Sequence, residues 1–126
     1  MIRKNISGGS PYEPIIGFSR AVRVGNAVHV AGTGPVGAEH EDVIGQTRRI
    51  FAIAEKALKE AGAKFDDVVR TRMFLTHVED WETVGRVHGE FFSTIRPAAT
   101  MVVVAELLNP AWRIEIEFDA VLSGSE

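Results

Sequence analysis

The sequence predicts an α+β domain with the element order βββαβαββ, and three observations carry that prediction. Residues 21–24 and 27–31 alternate apolar and polar side chains around a Gly25-Asn26 link, the pattern of a tight β-hairpin with a primed turn. Residues 42–61 repeat apolar side chains at three- and four-residue spacings, the pattern of an amphipathic helix. In residues 113–122, Ile114, Ile116, Phe118, Ala120 and Leu122 face one way, while Arg113, Glu115, Glu117 and Asp119 face the other.

The elements follow in order. Residues 1–6 read as a short edge strand, ended by Ser7, Gly8, Gly9, Ser10 and Pro11, with Pro14 close behind. In the hairpin, apolar Val22, Val24, Val28 and Val30 alternate with Arg23 and His29, so it is read as half-buried. Gly32, Thr33, Gly34 and Pro35 make a connection in which backbone can approach a neighbour closely. The first helix carries the stripe Val43, Thr47, Ile50, Phe51, Ala54, Ala57, Leu58 and Ala61, and Gly62 is its expected stop. The charges on its other face, from Arg48 to Glu60, read as solvated surface. Residues 68–75 are β-branched and aromatic, a strand. The second helix runs from Val78 or Asp80 to Phe92, with the stripe Trp81, Val84, His88, Phe91 and Phe92. Arg96-Pro97 closes that region, because proline disfavours helix at the residue before it. Residues 100–105 are a strand, Asn109-Pro110 a turn, and residues 113–122 the last strand. With no internal repeat and no linker, residues 1–126 read as a single domain.

Composition bounds the function. The chain has 126 residues, of which 45% are hydrophobic and 25% charged, the balance of a folded globule. Its longest apolar run, Met101 to Ala105, is far too short to span a bilayer, and no signal-peptide pattern opens the chain. A cytoplasmic protein without membrane contact is expected. Without cysteine there are no disulfides, thiolate metal sites or cysteine nucleophiles. The net charge of −3 speaks against a broad phosphate-binding surface, so nucleic acid is not the expected partner. Residues 101–105 are apolar at successive positions and therefore on both faces of their strand. Two helices cover one face of such a sheet, and a chain this short has no further layer to offer. Other copies of the chain are the economical cover, and a monomer with a mildly apolar exposed face is the alternative.

Few residues carry chemistry on their own. No two of the histidines at 29, 40, 77 and 88 have zinc-helix spacing, so neither a metal nor another cofactor is expected. His88 stands on an apolar stripe, either as a titratable pocket group or as a half-buried histidine with one hydrogen bond. No serine sits in a G-x-S-x-G elbow, and Gly32, Thr33, Gly34 and Pro35 lack the Gly-Lys-Ser/Thr of a phosphate loop. Glu115 and Glu117 share one strand face with Arg113. They read either as an acid–base pair or as the polar side of an amphipathic strand.

Several stretches, taken in order, resemble the RidA/YjgF family: residues 21–33 (AVRVGNAVHVAGT), 46–50 (QTRRI), 60–71 (EAGAKFDDVVRT), 89–92 (GEFF), 96–98 (RPA) and 113–121 (RIEIEFDAV). The resemblance covers nearly the whole chain. It implies a chorismate-mutase-like α+β fold and a homotrimer whose sheets form a central β-barrel, with a small-molecule pocket at each subunit interface. It also implies hydrolysis of reactive enamines and imines derived from amino acids, releasing ammonia and a 2-keto acid. In such a pocket an arginine grips the substrate carboxylate in bidentate fashion and a glutamate positions the attacking water.

By this resemblance Glu115 matches the water-positioning glutamate and Gly32 the pocket glycine. Ala99 stands where the carboxylate-gripping arginine belongs, Phe18 where a tyrosine is usual, and Gly85 where a helix asparagine is frequent. Loss of a bidentate ion pair weakens carboxylate binding by about 2–5 kcal/mol. The expectation is a pocket retuned for another small ligand, lined by Phe18, Gly32, Thr33, His88, Met101 and Glu115, with Arg96, Arg113 or His88 compensating for Ala99. Met101 reads equally as core. Three functions follow: a deaminase or related hydrolase, a non-catalytic metabolite-binding or regulatory protein, and, least supported by the charge, an RNA-acting protein.

Overall fold

The computed structural model describes residues 2–123. Six strands form one sheet: β1 (Arg3–Ile6), β2 (Ala21–Val24), β3 (Ala27–Thr33), β4 (Val68–Leu75), β5 (Ala98–Val103) and β6 (Ile114–Val121). Their order across it is β1-β2-β3-β6-β4-β5, and β4 and β5 are its parallel pair. Helices α1 (Val43–Glu60) and α2 (Trp81–Phe92) pack together, and α1 lies on β3 and β6. The expected order βββαβαββ is the observed one. Met1, where the first predicted strand begins, lies outside the described residues.

The core forms where the alternation of β6 meets the stripe of α1. Ile114, Ile116, Phe118 and Ala120 are buried against Ile50, Phe51, Ala54 and Leu58. Phe51 is the hub, stacked on Phe91 at a centroid separation of 4.3 Å and edge-on to Phe118 at 5.5 Å. Asp42 caps α1 by accepting a hydrogen bond from the Gly45 N–H at 2.9 Å, and Gly62, with φ of 86°, turns the chain out of it.

Four expectations need correction. The two-residue link sets Val22 opposite His29 and Arg23 opposite Val28, so Val22 and Val24 lie on the face away from Val28 and Val30. Arg23 shares the helix side and donates to the Ala61 carbonyl at 2.8 Å, closing the end of α1. Trp81 is 57% exposed, and Val87 takes a buried place instead. Side chains lean towards the helix N-terminus, so one on the first residue reaches past the stripe rather than into it. The strand expected at 100–105 begins at Ala98 and ends at Val103, because parallel pairing with Arg70 to Leu75 outweighs the weak strand preference of alanine.

Gln46 is buried too, although it stands outside the apolar stripe that the sequence predicts for α1. Its Nε2 donates to the carbonyls of Glu41 and Ala111 at 3.2 and 3.0 Å, and its Oε1 accepts the Arg113 N–H at 2.8 Å. It thereby ties α1 to the start of β6. Gln46→Leu strands those buried groups and lowers unfolding stability by about 2 kcal/mol, read as a reduced denaturant midpoint.

Candidate functional site

Glu115 occupies the outer face of β6, opposite Phe74 of β4 and away from the helices. On β3 the register shifts between Val30 and Thr33, an irregularity of the kind that re-aims local side chains. Gly32 lies in that shift. A Cβ built there would overlap Glu115 Oε2 and stand 3.3 Å from its Cδ, so the carboxylate rests directly on a glycine backbone. Burial pushes the Glu115 carboxyl above the usual carboxylate range. Arg20 opposes that shift and Glu117 adds to it. A carboxyl so placed can accept a proton from water and return it to a leaving group.

The other predicted residues are spread around this pair. Phe18 is half-buried at the end of a π-helical turn, two residues before Arg20. Thr33 is fully buried opposite inward-facing Ile116, and its hydroxyl donates to the Ala31 carbonyl at 2.8 Å. His88 lies on the helix side of the sheet. Its Nε2 shares a 2.9 Å hydrogen bond with the Thr71 hydroxyl, its ring packs on Phe92, and burial holds it below the usual histidine range. Ala99 pairs with Thr71 and Met101 with Met73, both buried positions beneath the helices, so these two also face α2. Within one chain, then, the sheet separates Glu115 and Gly32 from His88, Ala99 and Met101.

Neither arginine expected to compensate for Ala99 is free. Arg96 takes φ of 57°, and its Nε donates to the Ser93 carbonyl at 2.9 Å, capping the end of α2. Arg113 donates from Nε to Asp80 Oδ2 at 2.8 Å. The arginine that does reach Glu115 electrostatically is Arg20, whose Nη2 donates to the Gly32 carbonyl at 2.5 Å. Sequence reasoning passed over it, yet the signal was present. Alternation back from Val22 sets position 20 on the face of Val22 and His29, the face that Glu115 and Glu117 also share. A cleft of about 600 Å³ opens beside it, between the loop of Ser10 and Tyr12, the α1 side chains Arg49 and Lys56, and Trp112. Among the described residues, no cluster of three or more metal-binding side chains occurs, and no helix is long and apolar enough to cross a membrane.

The model of the family described as Endoribonuclease L-PSP matches residues 9–122. The chain belongs to the RidA/YjgF family. A Mycobacterium tuberculosis structure, described as a member of the YjgF/YER057c/UK114 family, superposes with a TM-score of 0.91 at 45% identity, covering 96% of this chain and all of that one (100%). The Escherichia coli YjgF gene product gives a TM-score of 0.81 at 30% identity, over 94% of this chain and 98% of that one. Among curated relatives, the Dermatophagoides farinae protein named 2-iminobutanoate/2-iminopropanoate deaminase is 31% identical, covering 87% of this chain and 89% of its own length. An uncharacterised Streptomyces coelicolor protein is 36% identical over 93% of this chain and 90% of its own. The α+β fold of this RidA/YjgF chain is thus the fold of its family.

Proposed function

We propose that this RidA/YjgF protein hydrolyses a small imine or enamine, with Glu115 as the catalytic carboxyl. The observation that carries the reading is the half-buried Glu115 carboxyl, raised by burial and seated on the backbone of Gly32. Protonation of an enamine on carbon yields the iminium ion. Water then adds to the iminium carbon as Glu115 accepts one of its protons. Glu115 returns that proton to nitrogen, and the C–N bond breaks as the new hydroxyl gives up its remaining proton, releasing ammonia and the carbonyl product. A single carboxyl, its proton held more tightly by burial, serves each proton transfer in turn. The deaminase name of the mite relative is consistent with this chemistry.

The pocket is completed by a second copy in a homotrimer. In one chain Ala99, Met101 and His88 lie across the sheet from Glu115, so a wall built from both groups needs a neighbour. The outer face also leaves Val102 at 43% and Val121 at 51% exposed, apolar surface suited to burial between copies. Sedimentation equilibrium is expected to give three chains per particle.

The second reading, a binding protein without turnover, is favoured by Ala99 and by the commitment of Arg96 and Arg113 elsewhere. An RNA-acting role has the family description in its favour, but the chain carries a net charge of −3, and on the site's face Arg72 is committed to Glu117 and Asp119. Ammonia release from freshly generated 2-aminoacrylate distinguishes these readings. Slow wild-type turnover is expected. Ala99 is exposed on an edge strand, so Ala99→Arg has room and should lower KM about tenfold by restoring a carboxylate partner. Wild-type turnover unchanged by Glu115→Ala contradicts the reading.

A further inference from the structure

Arg20 is partly buried in a way that structure alone does not reward. Among the described residues its side chain makes a single hydrogen bond, to the Gly32 carbonyl, and its Nε is buried with no partner. An orphaned donor on a desolvated cation costs stability, and a residue retained at that cost calls for a reason. The surrounding charges supply one. From β6, Glu117 faces Glu115 and is bridged by Arg72 of β4 at 3.4 Å, while Arg113 is bridged to Asp80. From β4 the residue opposite Glu115 is Phe74, which is uncharged, and from β3 it meets the backbone of Gly32. Among the described residues Arg20 is in no salt bridge; Glu13 and Glu115 both act on its charge, and Gly32 touches both the guanidinium, through its carbonyl, and the Glu115 carboxylate, against its Cα.

We propose that Arg20 is the positioning residue of this site: it fixes the Gly32 carbonyl, and so the floor under Glu115, while supplying in cis the positive charge that Ala99 does not bring. The inference rests on the reading of Glu115 as the catalytic carboxyl, but its first effect is on Glu115 itself and is measurable without turnover. Arg20 draws the Glu115 carboxyl down against the lift of burial, so its charge sets where the acid titrates. It does so from within the same chain, so the effect does not depend on which copy faces the pocket.

Three variants separate its two roles. Arg20→Gln keeps a donor for the Gly32 carbonyl and removes the charge; Arg20→Lys keeps the charge and loses the planar fork; Arg20→Met removes both. Carboxyl-carbon NMR titration of Glu115 in the intact protein reads the charge directly. The titration is expected to move upward in Arg20→Gln and Arg20→Met and to stay near the wild-type position in Arg20→Lys. In the ammonia assay the acid limb of kcat/KM should move upward with it in Arg20→Gln. Arg20→Lys should keep the wild-type limb and lose about tenfold in kcat, because the carboxylate floor is loosened. A Glu115 titration unmoved in both Arg20→Gln and Arg20→Met overturns the proposal, whatever the activity. Should Arg20→Met not fold, Arg20→Gln alone decides it. A wild-type protein that turns over no imine, yet shows the upward titration in Arg20→Gln, refutes the hydrolase reading and leaves the role of Arg20 standing.

Discussion

Glu115→Gln is expected to reduce imine hydrolysis by about 10²–10⁴-fold, the range that a positioned acid–base group contributes. The amide has nearly the same shape, so binding and assembly persist while the proton acceptor is gone. The loss should fall on kcat rather than KM, since the carboxyl acts on water rather than gripping the substrate. Stability is expected to move the other way. The folded-state pKa of Glu115 is raised, so the folded protein holds its proton more tightly than the unfolded chain does. The destabilisation from ionising it is therefore absent below the unfolded-state pKa. It grows as pH rises through the folded-state value and is complete above it. Glu115→Gln should melt higher than wild type at neutral pH, and the two should converge near pH 4, about the unbound glutamate value. Thermal denaturation at the two pH values checks this. A variant that is less stable at neutral pH would mean that the carboxylate is well solvated or paired.

Gly32→Ala is expected to cost about 10²-fold in kcat/KM with little change in melting temperature. The added methyl group meets Glu115 Oε2 and Cδ, the end of a flexible side chain rather than backbone, so the carboxylate swings aside and the strand keeps its path. Gly32 has no positive φ, so alanine brings no backbone strain. Because both substitutions act on one carboxylate, Gly32→Ala combined with Glu115→Gln should lose scarcely more than Glu115→Gln alone. Additive losses would mean that Gly32 serves the ligand directly. A large drop in melting temperature would mean that the glycine is demanded by packing.

Much of this was legible in the sequence, for physical reasons that differ by residue. The inward face of β6 and the stripe of α1 were readable because side-chain period and burial coincide there. Gln46 escaped because a polar residue on an apolar stripe is recognised only through its partners, and those are the backbone of Ala111 and Arg113, sixty-odd residues away. Val22 and Val24 were placed correctly in a strand. Their face, however, is fixed by the register across the turn rather than by their own alternation. The resemblance named pocket residues without saying which copy each belongs to. The pairing of Ala99 with Thr71 and of Glu115 with Phe74 sends them to opposite faces of the sheet. Arg20 lay in plain view two residues before Val22, but its importance depends on the Gly32 carbonyl, and backbone partners leave no mark on a residue pattern.

If Glu115 is a burial-raised carboxyl that carries the proton transfers of the reaction, its titration and the rate must move together. Carboxyl-carbon NMR of Glu115 alongside the pH profile of kcat/KM for ammonia release measures both. A titration above the ordinary value of 4.5, matched by an acid limb of kcat/KM at the same pH, is the result expected. A Glu115 that titrates at or below 4.5, or a rate that stays flat while Glu115 titrates, would contradict it.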